Sequence, residues 1–270
     1  MHFITPHFGQ NHSNMGIQRF ISSIFSARFG PFYRHFRKKR IVMFHAGRSG
    51  SSVLGLMLGA HPHIMWAGEI LKDRKVAQYK EQNANFDYRE VIRSDEARTM
   101  RKCYGFEIMY MHMRKLGISK EQFLTAILDL GYTHFIVLSR KNVLRKVTSM
   151  MVAQTTGRYH LGMSKSTQLV QVMLDTHELI KKFDQYGTDI AEMQQLLENR
   201  KCLSLTYEDD VEQDPSIAYS KICRFLQIPL YPVAPKLQRI NPYPLEHMII
   251  NFDEVATTLQ GTKYEWMLER

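Results

Sequence analysis

The chain has 270 residues, with 36 Lys and Arg against 26 Asp and Glu, a formal charge of +10 and 44% apolar residues. That length suits one large domain or two small ones, and ordinary hydrophobicity with 11% aromatics excludes a disordered or fibrous chain. Cys103, Cys202 and Cys223 form no CxxC pair and no Cys/His cluster, so no disulfide framework or zinc site is expected and a reducing, intracellular compartment is favoured. No apolar run reaches the roughly 18 to 20 residues of a membrane-spanning helix, and the N-terminus lacks the compact apolar stretch of a secretory signal.

Residues 1–40 carry seven basic side chains and no Asp or Glu. The rest of the chain is thus near charge balance, which argues against a nucleic-acid-binding stripe on the main domain. Ile17, Phe20, Ile21, Ile24 and Phe25 follow helical spacing, Pro31 interrupts, and a basic cluster runs from Arg34 to Arg40. Three readings fit this extension: a helix packed on its own domain, a peripheral contact with an anionic membrane, or an organellar presequence. The domain proper is expected from residue 41 to 270.

Ile41–His45 reads as a short buried strand, followed by a small-residue turn and an apolar helical stretch from Val53 to Leu58. Ile64–Ala67 and Gly105–Tyr110 are further strands. Ser119 with Gln122 fits a capping box that opens a helix to Leu130. Thr133–Leu138 reads as a buried strand, and Asn142 caps the helix after it. Apolar spacing from Thr167 to Arg200 predicts two helices broken near Gly187. A last strand, Cys202–Thr206, leads through a solvated acidic turn to Asp214-Pro215, an N-cap with proline at the first helical position, and a helix to Leu226. Alternating strands and helices predict an α/β fold: a three-layer sandwich, central mainly parallel sheet, helices on both faces.

Gly47-Arg48-Ser49-Gly50-Ser51-Ser52 lies between a buried strand and a helix, where backbone N–H groups, two glycines, serine hydroxyls and one guanidinium converge on an anion. The GxxxxGK[ST] pattern of Mg-dependent kinases and ATPases is absent. A second anion grip is expected where a strand delivers Arg140 and the next helix carries Ser149. Two anion sites at one sheet edge imply a ligand with two phosphate groups.

These motifs resemble those of sulfotransferases that use 3′-phosphoadenosine 5′-phosphosulfate (PAPS). Gly47–Ser52 is similar to the family's 5′-phosphosulfate loop, and Leu138-Ser139-Arg140-Lys141-Asn142-Val143-Leu144-Arg145 through Ser149 and Ala153 to its 3′-phosphate motif. Tyr207-Glu208-Asp209-Asp210 with Asp214-Pro215 and Phe225–Ile228 resembles the family's acidic turn and following helix. Asn241–Leu245, Asn251–Val255 and Leu259–Thr262 look like the C-terminus of bacterial, carbohydrate-type members. The resemblance implies a P-loop-like fold with PAPS held by Gly47, Arg48, Ser49, Gly50, Ser51, Ser52, Arg140, Ser149 and Arg239, and no metal. It departs at Ser51 and Ser52, where threonine is commoner, and at Glu107, where members often carry lysine. Subfamilies also differ by one residue in the spacing that would select Thr148 or Ser149.

Sulfuryl transfer to a hydroxyl must align donor and acceptor, stabilise charge on the leaving phosphate and remove the acceptor's proton. Arg48 suits the leaving group. Glu69, after the second strand, stands where relatives resembling this chain place a catalytic glutamate, with His45, His61, His63 and His112 as runner-up bases. The implied acceptor is a hydroxyl on a glycan, lipid or small molecule. The rival readings are a P-loop-like nucleotide kinase or other phosphoryl transferase, which would need Mg²⁺ and usually a loop lysine, and a non-catalytic membrane-associated nucleotide-binding protein.

Overall fold

The computed structural model describes residues 39–72, 76–77, 81, 86–99 and 101–269. Residues 1–38, which carry nearly all of the basic extension and its membrane and targeting readings, lie outside these. In chain order the elements are β1 Lys39–His45, α1 Ser51–Ala60, β2 Ile64–Glu69, α2 Tyr88–Ala97, β3 Cys103–Met109, α3 Tyr110–Lys115, α4 Lys120–Asp129, β4 His134–Ser139 and α5 Val143–Thr156. There follow β5 Leu161–Gly162, α6 Leu179–Leu196, β6 Cys202–Thr206, α7 Tyr207–Asp210, α8 Pro215–Phe225, β7 Leu237–Gln238, α9 Leu245–Met248, α10 Phe252–Leu259 and a 3-10 turn, Glu265–Glu269.

The fold is α/β. Five parallel strands stand in the order β2-β3-β1-β4-β6. Alternation along β1 sorts the layers: Ile41 and Met43 face α1 and α8, packing with Leu54, Met57, Leu58, Tyr219 and Ile222. Val42 and Phe44 face the other way, against Ile92 of α2, Phe123 and Ile127 of α4 and Met193 of α6. Both faces of the sheet are therefore covered, which is why its central strands read as unbroken apolar runs. A third cluster joins α5 and α6 to α9, α10 and the 3-10 turn.

The expected caps are all present. Ser119 and Gln122 form the reciprocal capping box of α4, the Asn142 carboxamide accepts from the Arg145 N–H, and the Asp214 carboxylate accepts from the Ser216 N–H behind Pro215. Two expectations fail. The strand predicted from Ile41 begins at Lys39, so the last two basic residues of the extension belong to the sheet. The pair of helices predicted over Thr167–Arg200 is a single helix, α6, which runs through Gly187. That glycine is solvent-exposed with open space around it, and one such residue costs a helix only about 1 kcal/mol. Residues 167–178 are not helical: Val172 and Leu174 are buried while Leu169 and Met173 are exposed, and Val172 bridges to Ile249 in parallel fashion. Among the described residues no helix is long and apolar enough to cross a membrane.

Candidate anion-binding site

From β1 the chain leaves through α1 towards the β2 edge, and from β4 through α5 and α6 towards the β6 edge. β1 and β4 are neighbours, so the loops after them diverge and open a crevice at their carboxyl ends. A cavity of about 330 Å³ occupies it, walled by the start of α1, by α5, by the segment after α7 and by the β5–β7 ribbon.

Gly47, Arg48 and Gly50 have φ of 77°, 54° and 88°, left-handed residues on either side of Ser49 that make the turn tight. Gly50 is needed for space as well as for φ, because a Cβ there would lie 2.7 Å from Val211 Cγ1. No side chain caps the N-terminus of α1. The Gly47 N–H instead donates to His45 Nδ1 at 3.1 Å, which anchors the loop to the strand beneath it. Burial, then His112 and Lys146, push His45 down to about 3, so the ring is neutral and its proton sits on Nε2.

Arg48 is the hub of the cavity. Its Nε and Nη2 donate to Ser149 Oγ at 3.0 and 2.9 Å, and its Nη1 to the Tyr159 carbonyl at 2.8 Å. Arg140 Nη1 donates to the Arg48 carbonyl at 2.9 Å, and its guanidinium lies over the Tyr207 ring, 4.3 Å from the centroid. The Arg140 N–H donates to the Tyr186 hydroxyl. Arg239 Nη2 pairs with Glu212 Oε1 at 3.0 Å across the cavity rim. Burial, followed by the neighbouring Arg140, holds Arg48 below the usual arginine range, and Arg145 is lowered by burial, then by Arg239 and Arg140.

Arg48, Gly50, Ser51, Ser52, Arg140, Ser149 and Arg239 thus meet on one cavity. Gly47 and Ser49 do not line it; Ser49 is fully buried beneath the loop, and its Oγ has no hydrogen-bond partner. Between the two hydroxyls left open by the sequence the geometry decides: Thr148 Oγ1 donates to the Leu144 carbonyl of its own helix, and Ser149 faces the cavity. Glu69 stands apart, half-buried, opposite Glu107 across the β2–β3 pair. Arg145, quoted within the 3′-phosphate motif but given no role of its own, also lines the cavity, and its spacing of four from Ser149 on α5 was the available signal. Tyr207 beneath Arg140 and Asn241 were quoted in family-like stretches without a role at the site, and the carboxamides of Gln213 and Gln238 were missed, since they carry no local signature.

Compared with protein-family models and with curated proteins, the chain has no significant match.

The acidic turn is not the solvated feature expected. The Glu208 side chain is 8% exposed, and its two oxygens accept the N–H groups of Lys141 and Asn142 at 2.8 and 3.0 Å. Asp210 is buried, accepting the Thr206 N–H and the Lys221 ammonium. Only Asp209, paired with Lys141, faces solvent. The turn is a brace that fixes the segment carrying Arg140.

Proposed function

We propose that this chain transfers a sulfuryl group from 3′-phosphoadenosine 5′-phosphosulfate to an acceptor hydroxyl. The observation that carries the reading is the meeting, on one cavity, of the loop Gly50–Ser52 with the Arg140–Ser149 pair, linked through Arg48: two groups of anion-binding side chains, as one ligand with two phosphate groups would need. The apolar wall formed by Val53, Leu161, Val211, Pro235 and Leu237 suits a flat nucleoside between them.

In this reading the 5′ end of the donor lies in the loop and its 3′-phosphate between Arg140 and Ser149. Arg48 exchanges its contacts with Ser149 and Tyr159 for the phosphosulfate, where its charge is worth most as the leaving phosphate gains charge. The acceptor oxygen forms its bond to sulfur as the bond from sulfur to the 5′-phosphate oxygen breaks, and the acceptor's proton passes to the Glu69 carboxylate. The chain works in an intracellular, reducing compartment, and residues 1–38 serve as a peripheral membrane or organellar-targeting element outside the donor site.

Calorimetry tests the donor site directly. 3′-Phosphoadenosine 5′-phosphate binds without Mg²⁺, and roughly tenfold or more tighter than adenosine 5′-phosphate, since each charge-assisted bond to the extra phosphate contributes about 1.5 to 3 kcal/mol. Equal affinities for the two nucleotides would overturn the assignment of Arg140 and Ser149, and binding that requires Mg²⁺ would favour a phosphoryl transferase.

A further inference from the structure

The β2–β3 pair does not keep even register. Trp66 lies opposite Gly105 and Glu69 opposite Glu107, so β2 takes three steps where β3 takes two. Gly68, at φ 67°, takes up the extra residue. In even register residue 68 would oppose Glu107, and Glu69 would point to the opposite face of the sheet. The bulge returns Glu69 to the face of Glu107, and the two glutamates spring from backbones about 4.8 Å apart.

The surroundings of Glu107 fit this pairing. Its side chain is 8% exposed, and Oε2 faces His45 Nε2 at 3.4 Å without a hydrogen bond. Space around Oε1 is left by two glycines, since a Cβ on Gly55 or Gly68 would stand 3.5 or 3.8 Å from it. The titratable groups facing Glu107 are Glu69 on β2, Lys72 just beyond it and the neutral His45 on β1, behind which lie His112 and Lys146; α1 presents the Ser51 hydroxyl. Two glutamates opposite each other on one face, one of them buried beside a neutral ring, do not both ionise readily.

We propose that Glu69 and Glu107 titrate as a pair that holds one proton below neutral pH, that Glu107 is the positioning residue that keeps this proton, and that Glu69 is the ionised member. The inference rests on the reading of Glu69 as the reaction's base, but the pair exists whether or not that reading holds. Burial, then Glu69, push the Glu107 carboxyl up to about 7, against the opposing Ser51 hydroxyl, Trp66 indole and Lys72. When Glu69 accepts the acceptor's proton, the pair holds two protons and no charge, so one returns to solvent before the next turnover. When Glu107 ionises at higher pH, a second negative charge stands behind Ser51.

The test is a ¹³C titration of the full chain labelled at the glutamate carboxyl carbons, which needs no nucleotide. One glutamate is expected to titrate near pH 7, to vanish in Glu107→Gln and to move down by about one pH unit in Glu69→Gln, because the like charge has gone. The wild-type titration decides even where a variant does not fold: no glutamate titrating above pH 6 overturns the proposal. A midpoint unmoved by Glu69→Gln also overturns it, since burial alone would then hold the proton. Failure to bind 3′-phosphoadenosine 5′-phosphate would instead strike the donor reading and leave this titration unchanged.

Discussion

Thr148 and Ser149 are adjacent hydroxyl residues on α5 with opposite roles. Thr148 is fully buried and spends its hydroxyl on the Leu144 carbonyl one turn back, whereas Ser149 accepts two bonds from the Arg48 guanidinium. Arg48 itself sits at φ 54°, where a side chain costs roughly 1 to 2 kcal/mol. That strain is met by the three bonds its guanidinium makes and by the Arg140 bond to its carbonyl. Ser149→Ala should therefore leave the fold intact and weaken bisphosphate binding by roughly tenfold or more. Thr148→Val should leave binding within about twofold and cost at most roughly 1 kcal/mol of stability, the net value of one hydrogen bond. Calorimetry and urea unfolding on the two variants measure both quantities, and the reverse pattern would place the wrong hydroxyl at the cavity.

At the scale of elements, the turn between β4 and α5 is held by a partner from β6's far end. Glu208 accepts the Lys141 and Asn142 N–H groups, while Asn142 caps α5 and donates to the Met267 carbonyl. Replacing Glu208 by Gln sets an NH₂ group against one of its two N–H donors, of which that of Asn142 is partly buried. It should cost about 1 to 3 kcal/mol in urea unfolding and weaken bisphosphate binding, because Arg140 loses its support. Asp209→Asn, at an exposed pair with Lys141, should leave the urea midpoint nearly unchanged, since solvent screens such a pair. Equal effects of the two substitutions would remove the brace from the account. The same turn marks where the sequence stops being readable. Caps at Ser119, Asn142 and Asp214 are local, each satisfied within three residues, so the sequence alone locates those helix starts. The role of Glu208 depends on residues 66 and 67 positions away, which composition cannot reveal. Residues 167–178 misled for the opposite reason. Their apolar residues satisfy helical spacing by chance, while tertiary pairing of Val172 with Ile249 holds the backbone extended.

At the scale of the whole molecule, the strand order sends the chain in opposite directions after β1 and β4, and the four arginines Arg48, Arg140, Arg145 and Arg239 converge on the crevice that results. Three of them stand in the motifs around the first and fourth strands, whereas Arg239 was expected only from the family resemblance and follows a two-residue ribbon strand too short for any periodicity to mark. Among the described residues Glu212 pairs with Arg239, Glu208 lies 3.8 Å from Arg140 Nε, and Arg145 Nη1 donates to the Tyr243 carbonyl. Folding therefore gathers like charges out of water, and an anion that spans them should be returned as stability. At a hundred times its dissociation constant, 3′-phosphoadenosine 5′-phosphate should stabilise the fold by about 2.7 kcal/mol, a rise in melting temperature of roughly 5 to 10 °C for a domain of this size. Pyrophosphate should give a smaller rise, and sodium chloride at equal ionic strength almost none, since it screens charges without bridging them. Arg140→Ala should narrow the gap between the bisphosphate and adenosine 5′-phosphate. Thermal unfolding across these four conditions checks the ranking. A bisphosphate that shifts the transition no further than sodium chloride does would mean that the arginines converge without forming a site.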